Sequence, residues 1–423
     1  MIHEFRVKNY LSFKNEQVLT FEPTSDSTLD DKYLININDN VKLLKIAYIY
    51  GANGSGKSNL LIALHLLRKI ITKSPSDKDK KIGVLPFMLD EDSRNQDTLF
   101  SITFYIDQKK YFYTIQLNDS IISSEELMYY PTIRPARLFK RTYDIKSESS
   151  TIEFGAHIKL SKNDLLTIQG NTLNNSSVLA TLTRINVSTS ILNTVLEYFR
   201  KTICPKLDPN DDLEEYVIKE MDNSPDAKKF ILELFREADF NISNLEIKKE
   251  DIEVTPEMRK FIEGAPLPEE DKKNILDNGK IEKSDLIFWH KTNNGIFNLN
   301  SEVQSDGTLR FLGMSMLLYR LVKQNTVITI DEIGASLHYH LTRYFISSFL
   351  NTGANMSQLI FTTHDINLLD EKFVRRDAVW FAEKNIDGET ELARLTEKKL
   401  HKNVSIYNAY MKGSIGGVPS ISN

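Results

Sequence analysis

The chain has 423 residues, 41% of them hydrophobic and 26% charged, with 53 Lys and Arg against 58 Asp and Glu. Its length and composition are typical of a globular protein of two or three domains, and the net charge of -5 argues against a generally basic nucleic-acid surface, though not against a local basic patch. The single cysteine, Cys204, excludes an internal disulfide, and its apolar neighbours predict a buried thiol in a reducing compartment. We recognise no signal peptide and no apolar run long enough to span a membrane, so we expect a cytoplasmic protein.

The first predicted elements are short strands at residues 2–7 and 17–21, paired as a hairpin. An apolar run at 46–50 then leads into residues 51–58, which match the phosphate-loop pattern G-x-x-x-x-G-K-[ST]. Helical spacing of apolar residues follows over 57–73. A strand, the loop and a helix in this order are the context that the motif requires, which favours a functional loop over an ordinary glycine turn before a helix.

The phosphate loop predicts a site for a nucleoside triphosphate. Its glycines let backbone N–H groups close around a polyphosphate at the positive end of a helix. Lys57 is placed to reach the β- and γ-phosphates, and the Ser58 hydroxyl is placed to ligate Mg²⁺. The predicted nucleotide-binding residues are Gly51, Asn53, Gly54, Ser55, Gly56, Lys57, Ser58 and Asn59.

The middle of the chain changes from strand to helix patterns. After a polar loop at 74–81, strands are expected at 100–106, 111–117, 126–129 and 137–143, and they form an antiparallel lobe. Helices are expected at 176–185, 191–203, 226–238 and 269–278. The lobe carries a dense basic cluster, which we interpret as a solvated strand face in preference to a contact with a phosphate backbone. The cluster is Arg134, Arg137, Lys140 and Arg141.

The last third of the chain carries the second half of a phosphate-loop site. After expected strands at 286–290 and 295–299, a helix is predicted over 309–322 and a buried strand over 326–330 that ends in Asp331 and Glu332. Such a strand end is often an ordinary edge, but beside a phosphate loop it predicts a catalytic role. Asp331 would hold Mg²⁺ through water, and Glu332 would polarise the attacking water.

Five motifs in one order resemble those of ABC-type ATPases: the phosphate loop, a signature loop, the strand ending in Asp331, a D-loop and a switch histidine. The signature residues are Ser305, Asp306, Gly307 and Thr308. Residues 334–338 resemble the D-loop, with Ser336 in the family position, and residues 361–365 resemble the switch segment, with His364. A lone Thr-His-Asp is more often a structural turn, but its position after a core strand favours a contact with the γ-phosphate.

More narrowly, the chain is similar to the ABC-type AAA ATPases related to the OLD nucleases and to RecF. Within these it looks most like ATPase subunits of bacterial anti-phage systems, of the RloA, AbiL and PARIS types. The phrases that carry this likeness are residues 9–13, 305–308, 336–338, 379–384 and 410–419. The sequence departs from the group at Gln304, where the group has Glu, and no Q-loop glutamine is assigned.

The resemblance implies an α/β fold with an ABC-type phosphate-loop core, a mixed sheet flanked by helices, and antiparallel β and helical insertions. Four segments are expected: residues 1–98 and 285–423 as the two parts of the core, 99–160 as the β lobe, and 161–284 as the helical insertion. ATP and Mg²⁺ are the implied cofactors. The signature loop would act on ATP held by another subunit, which implies a homodimer or a higher homo-oligomer.

Three functions compete. In the first, the chain is a sensor and scaffold of an anti-phage, abortive-infection complex and controls a separate effector, a nuclease or toxin, in response to a phage-derived trigger. In the second it is a RecF-like DNA-repair ATPase; the acidic balance counts against this, so a DNA contact is not favoured. In the third it is a transporter subunit, which the long insertions disfavour. The tail after Asp365 is too short for the Toprim domain of OLD nucleases, so we expect no nuclease activity in this polypeptide.

Overall fold

The computed structural model describes residues 1–187, 189–265, 269–353, 356–398, 400–401 and 404–417. Two residues of the family-like tail, Val418 and Pro419, lie outside this set. The chain divides into two compact units. Unit 1 comprises Met1–Asp211, Arg320–Ala335 and Ile346–Asn423, and unit 2 comprises Asp212–Tyr319 and Ser336–Phe345.

The strands are β1 (Ile2–Lys8), β2 (Gln17–Thr20), β3 (Leu34–Asn38), β4 (Val41–Leu44), β5 (Ile46–Tyr50), β6 (Thr98–Ile106), β7 (Lys109–Leu117), β8 (Ile122–Tyr130), β9 (Ala136–Asp144), β10 (Ser149–Phe154), β11 (Ile242–Glu253), β12 (Lys280–Thr292), β13 (Gly295–Asn300), β14 (Val327–Ile330), β15 (Gln358–Thr362), β16 (Val379–Lys384) and β17 (Thr390–Arg394).

The α-helices are α1 (Asp30–Tyr33), α2 (Lys57–Thr72), α3 (Glu91–Arg94), α4 (Lys162–Asn171), α5 (Val178–Thr181), α6 (Ser190–Glu197), α7 (Glu214–Asn223), α8 (Pro225–Glu237), α9 (Pro256–Gly264), α10 (Glu269–Asn278), α11 (Asp306–Lys323), α12 (Tyr339–Leu350) and α13 (Ile406–Met411). A π-helix covers Tyr198–Thr202, and short 3-10 helices cover Ser301–Val303, Ile366–Asp370, Arg376–Ala378 and Leu395–Glu397. None of the described helices combines the length and the apolar character that a membrane crossing needs.

Unit 1 contains a seven-stranded antiparallel sheet of order β10-β9-β8-β7-β6-β1-β2. The predicted hairpin of β1 and β2 is confirmed, and so is the antiparallel character of the β lobe. Alternate residues of β7 are buried, as one-sided packing requires: Tyr111, Tyr113, Ile115 and Leu117. The lobe is continuous with β1, because β6 pairs with β1 from Ile2 to Lys8.

A second sheet of unit 1 positions the predicted site. Its order is β14-β15-β5-β16-β17, and β5, β14, β15 and β16 run parallel. Every residue of β5, β14 and β15 is buried, which is why these strands read as continuous apolar runs and not as alternating ones. Parallel strands end at one edge of a sheet, so the phosphate loop after β5 and Asp331 after β14 meet there.

The basic cluster is not a uniform solvated face, and our interpretation is wrong for Arg141. This side chain is fully buried, and its guanidinium lies 3.8 Å from the equally buried Glu125. It donates to the carbonyl oxygens of Leu173 and Asn174 at 3.0 and 3.1 Å. Glu125 accepts from the Val178 N–H at 3.0 Å, so the pair fixes the turn that leads into α5. A buried charge is costly to leave unpaired, so the ion pair of Arg141 and Glu125 has a structural role here.

Unit 2 contains a three-stranded sheet of order β11-β12-β13. The helices expected at 226–238 and 269–278 are confirmed as α8 and α10. The expected helical insertion is interrupted, however, because residues 242–253 form the strand β11. The strands expected at 286–290 and 295–299 exist as parts of β12 and β13, but in this separate sheet β12 pairs with β11 and β13 pairs with β12, and neither pairs with the core strands. The segment boundaries at 98, 160 and 284 remain a prediction.

Cys204 is buried, as predicted, at 8% exposure. It belongs to an extended segment, residues 203–207, that runs beside β14: Ile203 and Leu207 form parallel bridges with Val327 and Ile330. Burial raises the pKa of the Cys204 thiol, which disfavours the reactive thiolate.

Candidate nucleotide-binding site

The phosphate loop joins β5 to α2 and depends on glycine. Gly54 and Gly56 have φ values of 74° and 98°, a region that other residues rarely adopt. A Cβ on Gly56 would lie 2.1 Å from Thr390 Oγ1 and 2.6 Å from Ser12 Oγ. The loop is therefore packed against two other segments of unit 1, while Asn53 at its tip is exposed.

Lys57 lies inside the loop and is 5% exposed. Its Nζ donates to the carbonyl oxygens of Gly51 and Ala52, at 2.9 and 3.0 Å. Burial lowers the pKa of Lys57, and the carboxylates of Glu332 and Asp331 oppose that shift. An ammonium held among carbonyls beside two acids is suited to bind phosphate oxygens.

Ser58 and Asp331, the two residues predicted to hold Mg²⁺, are in contact: Ser58 Oγ donates to Asp331 Oδ1 at 3.0 Å. The same carboxylate oxygen accepts from Thr362 Oγ1, at the end of β15, at 2.6 Å. Asp331 is only 6% exposed. A hydroxyl and a carboxylate in contact are the oxygen ligands that Mg²⁺ takes in nucleotide sites. Buried Ser55 Oγ has no hydrogen-bond partner among the described residues, so the loop also has a polar atom available to a ligand. These residues fit Mg²⁺ and a nucleotide.

Glu332 and His364 form the outer part of the site. Glu332 Oε1 lies 3.2 Å from His364 Nε2, and the two side chains are 47% and 39% exposed. Glu332 has a φ of 47°, and its N–H donates to Thr362 Oγ1 at 2.8 Å. A non-glycine residue held in this strained region is often found at functional sites. The carboxylate is accessible to water and oriented by the histidine, as a water-activating group requires.

Two residues that support the phosphate loop, Ser12 and Thr390, were not predicted from the sequence. Ser12 Oγ accepts from Asn59 Nδ2 at 2.8 Å and from Thr390 Oγ1 at 2.7 Å. Thr390 Oγ1 also lies 2.8 Å from the Ser55 carbonyl oxygen. Asn59, predicted as a nucleotide-binding residue, therefore uses its side-chain amide to tie α2 to the loop that follows β1. Ser12 lies in the family-like segment 9–13, but no local pattern gives it or Thr390 a role at the loop, because the contact joins residues far apart in sequence.

The predicted signature residues and the D-loop residue Ser336 lie in unit 2 and are close to one another. Ser305 Oγ accepts from the Thr308 N–H at 3.1 Å, so it caps the first turn of α11. A Cβ on Gly307 would lie 3.2 Å from the Ser336 carbonyl oxygen. Ser305, Asp306 and Ser336 are exposed, whereas Thr308 is buried. The exposed start of this helix is a site that anions favour.

The family of the chain is shown by comparison. A family model described as "AAA domain, putative AbiEii toxin, Type IV TA system" matches residues 46–370, well over half of the chain. A comparison with curated proteins found no match.

Three solved structures of SMC heads are similar. One is the SMC head domain from Thermotoga maritima, with 10% identity, a TM-score of 0.41, and coverage of 93% of this chain and 98% of that one. A second is the SMC head bound to the C-winged helix domain of ScpA, with 14% identity, a TM-score of 0.39, and coverage of 97% of this chain and 99% of that one. The third is the SMC head domain with an extended coiled coil bound to the C-terminal domain of ScpA, derived from Pyrococcus furiosus. It has 12% identity, a TM-score of 0.39, and coverage of 94% of this chain and 97% of that one.

The site and the family agree on the fold. The phosphate loop follows a central parallel strand, and the two acids follow β14, which confirms the predicted α/β phosphate-loop core of ABC type. The family match begins at β5 and extends beyond the switch histidine, so it includes every predicted site residue. The chain belongs to this AAA family.

Proposed function

We propose that this chain binds and hydrolyses ATP and acts as the sensor and scaffold of a cytoplasmic anti-phage, abortive-infection complex that controls a separate effector. One observation carries the ATPase: Ser58 Oγ lies 3.0 Å from Asp331 Oδ1, with Lys57 in the same loop and Glu332 next in sequence. This arrangement joins a phosphate-binding cation, a metal-binding pair and a water-activating carboxylate in unit 1.

Each residue has a role that its position explains. Lys57 and the loop N–H groups bind the phosphates, and Ser58 with Asp331 would hold Mg²⁺, which neutralises phosphate charge when bound. Glu332 orients the attacking water and accepts its proton. His364, 3.2 Å from Glu332, holds that carboxylate in place and reports on the terminal phosphate beside it.

The proposal includes an interface between two copies of the chain. Ser305 and the exposed N-terminus of α11 would bind the terminal phosphate held by the partner copy, with Ser336 nearby. Charge-assisted hydrogen bonds to this phosphate would close the dimer, and hydrolysis would release it.

The defence role is supported by the family description, which names an AbiEii toxin and a type IV TA system. The RecF-like alternative needs a basic surface. In the basic cluster, Arg141 is buried against Glu125, and Arg137 lies 2.8 Å from Glu126. These pairings leave less free positive charge for a phosphate backbone, so they favour the defence role over DNA binding.

The test uses cells that carry the chain with or without the neighbouring reading frame of its genome. We expect protection from phage only when both are present, and loss of protection with Lys57→Ala. Lys201→Met, which changes a side chain that is 79% exposed, serves as the control and should protect fully. Co-purification of the two proteins should change when ATP is added. Protection by the chain alone, or nucleic-acid cleavage by the purified chain, would contradict the partner role.

A further inference from the structure

A second lysine approaches the metal-binding carboxylate from outside the sequence motifs. The segment 203–207 follows β14 in parallel: Leu207 N–H donates to the Thr329 carbonyl oxygen at 3.0 Å, and Asp331 N–H donates to the Leu207 carbonyl oxygen at 2.8 Å. The backbone of Asp331 is thus fixed by this segment. Lys206 precedes Leu207, and its Nζ lies 3.8 Å from Asp331 Oδ2.

Lys206 is also attached to the helix of the phosphate loop. Its backbone N–H donates to His65 Nδ1, on α2, at 3.0 Å. Burial and neighbouring cations lower the pKa of His65, which keeps this nitrogen free to accept. Only 9% of the Lys206 side chain is exposed, and it is paired with Asp208 as well as with Asp331. Lys206 is therefore held by both α2, which follows the phosphate loop, and Asp331, at the end of β14.

The charges around Asp331 indicate what the ammonium binds when a nucleotide is present. Mg²⁺ at Ser58 and Asp331 repels an ammonium that shares the same carboxylate. The terminal phosphate of ATP is the anion that would lie beside that Mg²⁺, and a lysine side chain is long and flexible enough to change partners over a few ångströms. Asp208 is a further carboxylate on this side of the site, so Lys206, which is paired with it, also reduces the repulsion between that carboxylate and a bound phosphate.

We infer that Lys206 is a second phosphate-binding lysine of this site, and that it binds the terminal phosphate of ATP from the side of Asp331. The inference rests on the proposed nucleotide site and adds a contact that ADP lacks. Lys57 holds the phosphates from within the loop, whereas Lys206 distinguishes the triphosphate from the diphosphate.

The test is equilibrium binding of a non-hydrolysable ATP analogue and of ADP, each with Mg²⁺, to the full chain. Lys206→Met should weaken binding of the ATP analogue by about tenfold or more and that of ADP by less than about threefold, because a charge-assisted contact to the terminal phosphate is lost. Lys206→Arg should keep most of the preference for the ATP analogue. Lys201→Met, in the preceding π-helix, is the matched control and should bind both nucleotides like the wild type.

The outcomes separate this inference from the proposed function. If the wild type binds neither nucleotide, the proposed function fails. If the wild type binds both and Lys57→Ala weakens both, while Lys206→Met leaves the preference for the ATP analogue unchanged, only the role of Lys206 is overturned. Should Lys206→Met fail to fold, Lys206→Gln, which also removes the charge, takes its place. A folded Lys206→Gln variant that has lost the preference for the ATP analogue supports the contact, and one that keeps the preference overturns the inference.

Discussion

At the scale of single residues, the site separates binding from chemistry. Lys57 is buried in the phosphate loop, whereas Glu332 is half exposed at its outer edge. We therefore expect Glu332→Gln to keep ATP affinity within about threefold and to lower the hydrolysis rate by about 100-fold or more, because only the proton-accepting group is removed. Lys57→Ala should weaken ATP binding itself. Nucleotide affinity and phosphate release, measured on both variants, check this.

The control for these variants is Asp387→Asn, in an exposed turn of the same unit, which should behave like the wild type. Near-normal hydrolysis by Glu332→Gln would show that another group activates the water.

Lys45 gives a pH dependence that does not involve the site. The residue is 1% exposed, and its Nζ donates to the Gly353 carbonyl oxygen at 2.6 Å. Burial lowers the pKa of Lys45 from 10.5 to about 8. Between these values the unfolded chain keeps a proton that the folded chain has lost, so the free energy of unfolding rises with pH by roughly 2–3 kcal/mol from this group.

Lys45→Met should abolish that increment, which denaturant unfolding at pH 7.5 and pH 10 would measure as a difference from the wild type. Lys42→Met, at an exposed position of β4, the strand that ends just before Lys45, should retain it. An identical pH dependence in the wild type and Lys45→Met would mean that the buried ammonium keeps its ordinary pKa.

At the scale of elements, the start of β17 supports the phosphate loop. Thr390 is fully buried, and its hydroxyl bonds to Ser12 Oγ at 2.7 Å and lies 2.8 Å from the Ser55 carbonyl oxygen. Thr390→Val keeps the shape of the side chain but removes its hydroxyl, so Ser12 Oγ and the Ser55 carbonyl oxygen lose a hydrogen-bond partner. We expect this to cost about 1–3 kcal/mol of stability. We expect ATP affinity to fall by about tenfold, as measured by equilibrium binding.

Thr390→Ser restores the hydroxyl and should recover most of the affinity. Thr396→Val, in the short helix after β17, tests whether any Thr-to-Val change in this region has the same effect. Equal affinity for Thr390→Val and the wild type would show that the loop keeps its shape without this support.

The elements also show what the sequence could predict. Residues 51–58 and the strand before Asp331 were found because their chemistry demands a fixed local spacing. Arg141 was misinterpreted because its partner Glu125 lies on another strand, and strand alternation does not show which face meets α5. Residues 242–253 are rich in charge and were placed in a helical insertion, but cross-strand pairing with β12 decides their structure. Lys206 escaped notice because only its register beside β14 brings it to Asp331.

At the scale of the whole molecule, the proposed dimer predicts complementation. A Ser305→Arg copy keeps its phosphate loop, and a Lys57→Ala copy keeps its signature loop. Each should be inactive alone, because each lacks one half of every site. When the two are mixed, half of the dimers are mixed and each has one intact site, so about a quarter of the wild-type hydrolysis should return.

Phosphate release by the mixture measures this, with subunit exchange shown independently by differently tagged copies. A mixture of Ser305→Arg with itself, carrying the two tags, is the control and should stay inactive. Inactive mixtures of subunits that do exchange would argue for a site completed within one chain.

The burial of Cys204 has a practical consequence for following this protein in solution. The chain carries one thiol, and the fold shields it at 8% exposure beside β14. A water-soluble maleimide added to the native protein will therefore react quickly with a cysteine introduced at a surface position such as Asp387 and only slowly with the natural one. The slow rate at which Cys204 is labelled then measures how often the segment that carries Lys206 opens. A nucleotide that binds Lys206 should hold this segment closed and slow the labelling of Cys204.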